Sequence, residues 1–235
     1  MRSELNRIAG AHAIEMERAR HQLLASLGHD LREPLQSISL AAQILQKRDG
    51  VGAQLGAKIE SSSGRMSRLI TQILDMSLLQ SNLGMVLNRG RVDLVELLES
   101  AVTDANFSYP GNDLRLDTPP EVAVNADGDR LAQVISNLVS NARHHGTPGK
   151  PVFLFAEICP NGVTFGVRNS GPPIPDDIQS DLFKAFKPGL LVNQRNRTGL
   201  GLGLYIAHEI LRAHGGTLTL DCSDGLITFS AYIPA

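Results

Sequence analysis

The first third of the chain carries apolar residues at spacings of three and four, which is the period of an α-helix. Two such stripes predict two long helices. The first comprises Leu24, Leu27, Leu31, Leu35, Ile38, Ala42 and Leu45, and the second Leu55, Ile59, Met66, Leu69, Ile73, Met76 and Leu83. The stretch 47–52 contains Asp49-Gly50, breaks the pattern and predicts a turn. Residues 21–83 are therefore predicted to form an antiparallel helical hairpin.

The predicted hairpin leaves apolar surface uncovered, because two helices shield only part of each other's stripes. Each Leu or Ile removed from water contributes about 1.5–3 kcal/mol, so pairing of two hairpins into a four-helix bundle is favoured. The pattern predicts a homodimer. Residues 1–20 carry a thinner stripe and are interpreted either as the end of an incoming signalling helix or as a frayed terminus.

From residue 84 to residue 235 the pattern changes to alternating strands and helices. Helices are predicted over 93–107, 129–145 and 201–214, and strands over 121–125, 152–158, 163–167, 217–221 and 226–233. Asp93 and Glu96 form a capping box at the start of the first of these helices. The expected fold is an α/β sandwich, in which a sheet carries helices largely on one face.

Composition excludes several classes of function. The formal net charge is −2, the chain has no Trp and no run of Lys or Arg, and so nucleic acid is not expected as a partner. No apolar stretch approaches the roughly 18 residues that span a bilayer, so no membrane contact by this segment is expected. Cys159 and Cys222 lack the spacing of a metal or redox site, which favours a reducing, cytoplasmic location.

His29 is the candidate nucleophile. It lies two residues from both Leu27 and Leu31, roughly 200 degrees round the helix, and so it points away from the apolar stripe. An exposed imidazole with a pKa near 6.5 is largely neutral in the cytosol and keeps a nitrogen lone pair. Asp30 is placed to hold one ring N–H and leave the other nitrogen to attack. An ordinary surface histidine fits this stretch equally well.

Two further motifs suggest a nucleotide site. Asn137 and Asn141 are four residues apart on one predicted helix, and amide oxygens suit Mg²⁺; two exposed asparagines without function are the alternative. Gly199, Gly201 and Gly203 open a later helix, where backbone N–H groups reach a polyphosphate. Their spacing matches neither a P-loop nor a dinucleotide fingerprint, and alone they are a weak signal.

In order along the chain, these segments resemble the sequence boxes of sensor histidine kinases. The boxes are the phospho-acceptor box at 29–34, the asparagine box at Asn137 and Asn141, a strand-turn box at 169–171, a Phe box at 182–186 and the glycine box at 199–203. The match runs from about residue 23 to the C-terminus. The resemblance implies a dimeric four-helix bundle for phosphotransfer, followed by an ATP-binding α/β sandwich of the Bergerat type over 84–235.

The resemblance also implies roles for individual residues. Asn141 would ligate Mg²⁺, and Asn137 would stand where related ATPases carry a water-activating glutamate. Asn169 would meet the adenine amino group, Gly171 would let the base approach, and His144 would contact phosphate. Arg195 and Arg197, in a lid over 184–198, could bind phosphate oxygens, although solvated lid charges are an equal alternative for each. ATP and Mg²⁺ are the implied cofactors, and the receiver domain of a response regulator is the implied partner.

Departures from the family pattern change some expectations. Asn169 replaces the usual aspartate and Pro173 the usual second glycine, so we expect weaker nucleotide binding and a gain from Asn169→Asp. Glu33 replaces the residue that usually positions water for phosphatase activity, which predicts poor phosphatase activity. The residue sequences of these boxes are most similar to those in the output modules of bacteriophytochromes. This resemblance implies a light input.

The expected function is an ATP-dependent protein-histidine kinase that phosphorylates His29. One alternative is a degenerate kinase that works as a dimeric signalling or binding module, which Asn169 and Pro173 favour. Another is an ATPase of the chaperone or topoisomerase type. Asn137 in place of a glutamate argues against that reading, which also leaves His29 unexplained.

Overall fold

The computed structural model describes Leu31 and residues 35–46, 51–79, 85–108, 113–179, 181–184 and 202–235. The chain divides into two compact units, Met1–Gly84 and Met85–Ala235. The predicted signalling helix over 1–20 lies outside the described residues. No helix in the described ranges is long and apolar enough to cross a bilayer.

In the first unit, α1 (residues 35–46) and α2 (Val51–Leu79) form an antiparallel pair. Ser63 Oγ donates to the Leu35 carbonyl at 2.8 Å near one end of α1. Near the other end, a Cβ built on Gly56 would lie 2.4 Å from the Ala42 carbonyl oxygen, so the two backbones approach closely there. The predicted hairpin is confirmed, but α2 already begins at Val51, inside the stretch predicted to be a turn.

The apolar stripes of the hairpin are covered unevenly. Leu35, Ala42 and Met76 are buried. Other large apolar side chains of this unit are exposed by 42 to 61%: Leu31, Ile38, Leu40, Ile44, Leu55, Met66 and Ile73. A single hairpin therefore leaves much of its predicted apolar surface in water.

The second unit alternates strands and helices. Its elements are β1 (Gly90–Asp93), α3 (Leu94–Ser108), β2 (Leu114–Asp117), β3 (Ala123–Ala126), α4 (Gly128–His145), β4 (Val152–Cys159), β5 (Gly162–Ser170), α5 (Asp176–Gln179), α6 (Gly203–Ala213), β6 (Thr217–Ser223) and β7 (Leu226–Pro234). Every helix and strand predicted in this region is present, with ends shifted by up to three residues. The short elements β1, β2 and α5 were not predicted.

Five strands form a mixed sheet in the order β2-β4-β5-β7-β6, in which β2 and β4 are parallel and the other neighbours antiparallel. A separate antiparallel pair joins β1 to β3. Side chains alternate across the sheet. One face carries the fully buried Leu154, Phe165 and Phe229, and the helices α3, α4 and α6 contact these strands. The result is the predicted α/β sandwich.

Candidate functional site

The helix α4 positions the asparagine box. Its buried face comprises Leu131, Val134, Ile135, Leu138, Val139 and Ala142. Asn137 and Asn141 lie beside that face, four residues apart, and both are half-buried. The Nδ2 atom of Asn137 is buried and has no hydrogen-bond partner among the described residues. A buried donor without a partner costs about 1–3 kcal/mol, so this amide is a candidate to bind an acceptor group of a ligand.

The start of α6 lies against Asn137. A Cβ built on Gly203 would be 3.4 Å from Asn137 Oδ1 and 3.6 Å from its Cγ, which is ordinary contact distance, so the two residues are neighbours. Leu202 at its N-cap makes no side-chain hydrogen bond to the helix. The first N–H groups of α6 have no partners within the helix and carry its positive end, which favours an anion.

The strand-turn box lies at the end of β5. Asn169 is 3% exposed, and its Nδ2 donates to the Ser170 carbonyl at 3.1 Å. Gly171 follows, and a Cβ there would lie 2.8 Å from Ile227 Cδ1 and 3.4 Å from Asn169 Nδ2. A side chain at position 171 would therefore collide with Ile227, and the glycine leaves room between Ile227 and Asn169.

Two histidines close α4. His144 is exposed, and its Nδ1 lies 2.6 Å from the Ser140 carbonyl oxygen, which requires the hydrogen to be on Nδ1. His145, the last residue of α4, is also exposed, although neighbouring protein partly desolvates it. Loss of water there, and secondly repulsion by His144, lowers the pKa of His145 below its usual value of 6.5. The His145 ring is therefore predominantly neutral at pH 7.

Several predicted site residues lie outside the described part of the chain. They are His29, Asp30, Arg195, Arg197, Gly199 and Gly201. Their roles stay predictions. Within the second unit, the structure brings Asn137 together with Gly203, and Asn169 with Gly171.

Sequence reasoning missed one contact at the site and one elsewhere in the second unit. Gly146 ends α4, and a Cβ there would lie 3.1 Å from Asn169 Nδ2, so this glycine makes room for the asparagine. Phe183 of the Phe box stacks on His208 of α6, with ring centroids 5.7 Å apart and planes inclined by 21°. The position of Gly146 directly after the asparagine-box helix could have indicated its contact with Asn169. No local sequence pattern predicts the stacking of Phe183 on His208.

These groups fit a nucleotide. The Asn137 amide donor, unpartnered among the described residues, and the N–H groups at the start of α6 can both bind the negatively charged oxygens of a polyphosphate. The half-buried Asn141, one turn further along α4, offers an amide oxygen of the kind that Mg²⁺ accepts. Asn169 and the space beside Gly171 offer a polar contact and room for a flat base.

Comparison with known families agrees with this arrangement. The HisKA family, the His Kinase A phospho-acceptor domain, matches residues 19–82. The HATPase_c family, described as histidine kinase-, DNA gyrase B- and HSP90-like ATPase, matches residues 126–235. The chain thus carries a phospho-acceptor domain followed by an ATPase-type domain.

Individual relatives are similar over most of the chain. A bacteriophytochrome of Pseudomonas aeruginosa is 43% identical over 234 residues, which cover 100% of this chain and 32% of the relative. A probable sensor histidine kinase of Mycobacterium tuberculosis, TcrY, is 35% identical over 220 residues, covering 91% of this chain and 45% of the relative. The chain therefore spans about a third to just under half the length of these relatives.

A solved structure, the nucleotide-free catalytic domain of the histidine kinase ThkA, superposes with a TM-score of 0.56 at 27% identity. The match covers 63% of this chain and 95% of that domain. Together with the two matching families, this likeness shows that the chain belongs to the sensor histidine kinases.

Proposed function

We propose that this chain is the kinase module of a two-component signalling protein, which binds MgATP and transfers its γ-phosphoryl group to His29. The observation that carries the proposal is the buried Nδ2 of Asn137, which has no hydrogen-bond partner in the described part of the chain and lies beside Gly203 at the start of α6. Membership of the histidine kinase family supports it independently.

The chain's own residues would divide the work of holding the nucleotide. The Asn137 amide and the first N–H groups of α6 would bind phosphate oxygens, and the Asn141 oxygen would bind Mg²⁺. The metal would supply charge stabilisation as the phosphoryl group moves. Asn169 would meet the base. Arg195 and Arg197 would add phosphate contacts from the lid, and His144 would add another from the end of α4.

Transfer to histidine is favoured over hydrolysis by the residue at position 137. An amide cannot take a proton from water, so it does not activate water as a carboxylate would. His29 would attack with a neutral ring nitrogen while Asp30 holds the other ring N–H. A bond forms between the attacking ring nitrogen of His29 and the γ-phosphorus. The bond from phosphorus to the bridging oxygen breaks, and ADP leaves.

The module would act as a homodimer. The exposed apolar side chains of α1 and α2 supply the surface that a second hairpin would cover. The phosphoryl group would then pass to an aspartate on the receiver domain of a response regulator. We further infer a cytoplasmic location, and a light input on the strength of the bacteriophytochrome relative.

A degenerate module that binds its partner without catalysis is the second candidate, favoured by Asn169 and Pro173 at positions where the family usually has aspartate and glycine. Incubation with γ-labelled ATP separates the candidates. We expect acid-labile, base-stable label on wild type and on the control His21→Gln, and none on His29→Gln. Free phosphate without protein label would indicate an ATPase, and neither product would indicate a binding module.

A further inference from the structure

His214 is a buried histidine to which the proposed function assigns no role. It directly follows α6, is 1% exposed and makes two hydrogen bonds through its ring. Nδ1 lies 2.8 Å from the Ile210 carbonyl oxygen, and Nε2 lies 3.0 Å from the backbone nitrogen of Asp127. A carbonyl can only accept, so the ring hydrogen is on Nδ1 and Nε2 accepts from the Asp127 N–H. The ring therefore joins the end of α6 to the residue that caps α4.

The two helices joined by His214 run antiparallel and meet again at the candidate phosphate site. The start of α4 contacts the end of α6 through Asp127 and His214, and the start of α6 contacts the middle of α4 through Gly203 and Asn137. Asn137 lies ten residues beyond Asp127, and Gly203 lies eleven residues before His214. At about 1.5 Å per residue, these separations are about 15 and 16 Å, so both contacts belong to one register of the helix pair.

The hydrogen bond between Asp127 and His214 specifies this register more strictly than apolar contact does. Apolar contact has no direction, whereas a hydrogen bond weakens steeply when its length or angle changes. Both residues are buried, so sliding α6 along α4 would leave the Asp127 N–H and Nε2 unpaired away from water. The bond from Nδ1 to the Ile210 carbonyl holds the ring in the orientation that presents Nε2 as the acceptor.

We propose that His214 is a positioning residue for nucleotide binding. Its bond to the Asp127 N–H sets the register in which the start of α6 lies beside Asn137, so that the Asn137 amide and the first N–H groups of α6 reach the same phosphates. His214 itself lies about 15 Å along the helices from that site and does not touch the nucleotide. The inference rests on the proposed function, because it requires that these groups bind phosphate oxygens.

Two substitutions that each imitate one ring nitrogen test the proposal. His214→Gln places an acceptor oxygen near the position of Nε2 and can keep the bond from the Asp127 N–H. His214→Asn places its amide near the position of Nδ1 and is too short to reach Asp127. In MgATP titrations of the whole chain, we expect His214→Asn to bind about tenfold more weakly than wild type and His214→Gln to stay within about threefold. The titrations are made at a temperature at which circular dichroism shows each variant to be folded.

Val163→Ala is the control that separates positioning from a general loss of stability. Val163 is buried at the opposite end of β5 from Asn169, so its truncation should lower the free energy of unfolding and leave the dissociation constant for MgATP unchanged. An equal loss of affinity in Val163→Ala would assign the effect of His214→Asn to stability and overturn the inference.

The remaining outcomes distinguish the inference from the proposed function. Wild-type affinity in folded His214→Asn would overturn the inference and leave the proposed function standing. If His214→Asn does not fold, His214→Gln decides, because a tenfold loss of affinity in that folded variant would equally overturn the inference. Absence of saturable MgATP binding by wild type would overturn both.

Discussion

The helical hairpin and the α/β unit bury their apolar residues to very different extents. In the α/β unit Phe165 is 0% exposed and Phe229 1%, whereas in the hairpin Leu40 is 61% exposed and Ile44 57%. The α/β unit closes its core with its own helices. The hairpin has only one helix to cover each stripe, so its core is completed only if another surface packs on it.

The two units therefore depend on different contacts: the α/β unit on contacts within the chain, and the hairpin on association with another surface. Contacts within the chain assemble the candidate nucleotide site, since Asn137, Gly203 and Asn169 lie on elements of one packed unit. Association would complete the hairpin. Variants of the α/β core should therefore change the free energy of unfolding, and variants of the hairpin stripe should change the dimer dissociation constant.

The largest effect is expected at the centre of the α/β core. Phe165→Ala should lower the free energy of unfolding by ~3–5 kcal/mol, because it leaves a cavity beneath the helices. Phe153→Ala is the matched control on the opposite face of the sheet, where the ring is half-buried under Arg115, and should cost clearly less. Chemical denaturation measures both, and equal losses would mean that the two faces are not as different as their burial indicates.

The hairpin stripe should respond through association instead. Ile73 is 49% exposed on α2, and Ile73→Glu would place a charge on the surface that a second hairpin covers. We expect the dimer dissociation constant to rise about 100-fold, corresponding to ~2.7 kcal/mol, which is the scale of one buried aliphatic side chain. Gln54→Glu introduces the same charge change at an exposed polar position of α2. Sedimentation equilibrium would contradict the account if both variants behaved alike.

A smaller effect, dependent on pH, is expected at the start of α4. Asp127 caps this helix by accepting from the Arg130 N–H at 3.1 Å, and it also accepts from the Asn88 N–H at 2.8 Å. Burial raises the pKa of Asp127, but these two backbone hydrogen bonds, with the nearby charges of Arg130 and His214, outweigh burial and hold the pKa below its ordinary 3.8. The stabilisation of the folded state by the Asp127 carboxylate is therefore complete above the ordinary pKa of 3.8. It is lost as the pH falls through the lower pKa of the folded state.

Asp127→Ala should cost ~1 kcal/mol at pH 7, as other N-cap substitutions do. The difference from wild type should shrink as the pH falls below the ordinary pKa of aspartate. Unfolding free energies of both proteins between pH 7 and pH 3 measure this. A difference that stays constant over the whole range would rule out the carboxylate as its source.

The long central elements could be predicted from the sequence, and the short edge elements could not. The strands β4, β5 and β7 have eight or nine residues with a clear apolar face, so the pattern alone indicates them. β2 has four largely exposed residues and forms by pairing with β4, about 40 residues away in the register Leu114 to Val152. Local propensity contains no information about such a partner.

The same limit applies to the site. The spacing of Asn137 and Asn141 places them on one face of a helix, and that follows from helical geometry alone. The Asn169 amide donates to the Ser170 carbonyl, which also accepts from the Thr147 N–H, and Gly146 adjoins the amide only after α4 has packed on the sheet. The sequence therefore suggests Asn169 as a candidate contact residue but does not indicate the groups that surround its amide.

Titration of the whole chain with MgATP, for wild type, Asn137→Ala and the exposed control Asn125→Ala, tests the central claim most directly. We predict saturable binding by wild type and by the control. Asn137→Ala should bind about 10- to 100-fold more weakly, because a donor to a charged oxygen is lost. Absence of saturable binding by wild type at millimolar nucleotide, or equal affinity for Asn137→Ala, would contradict the account.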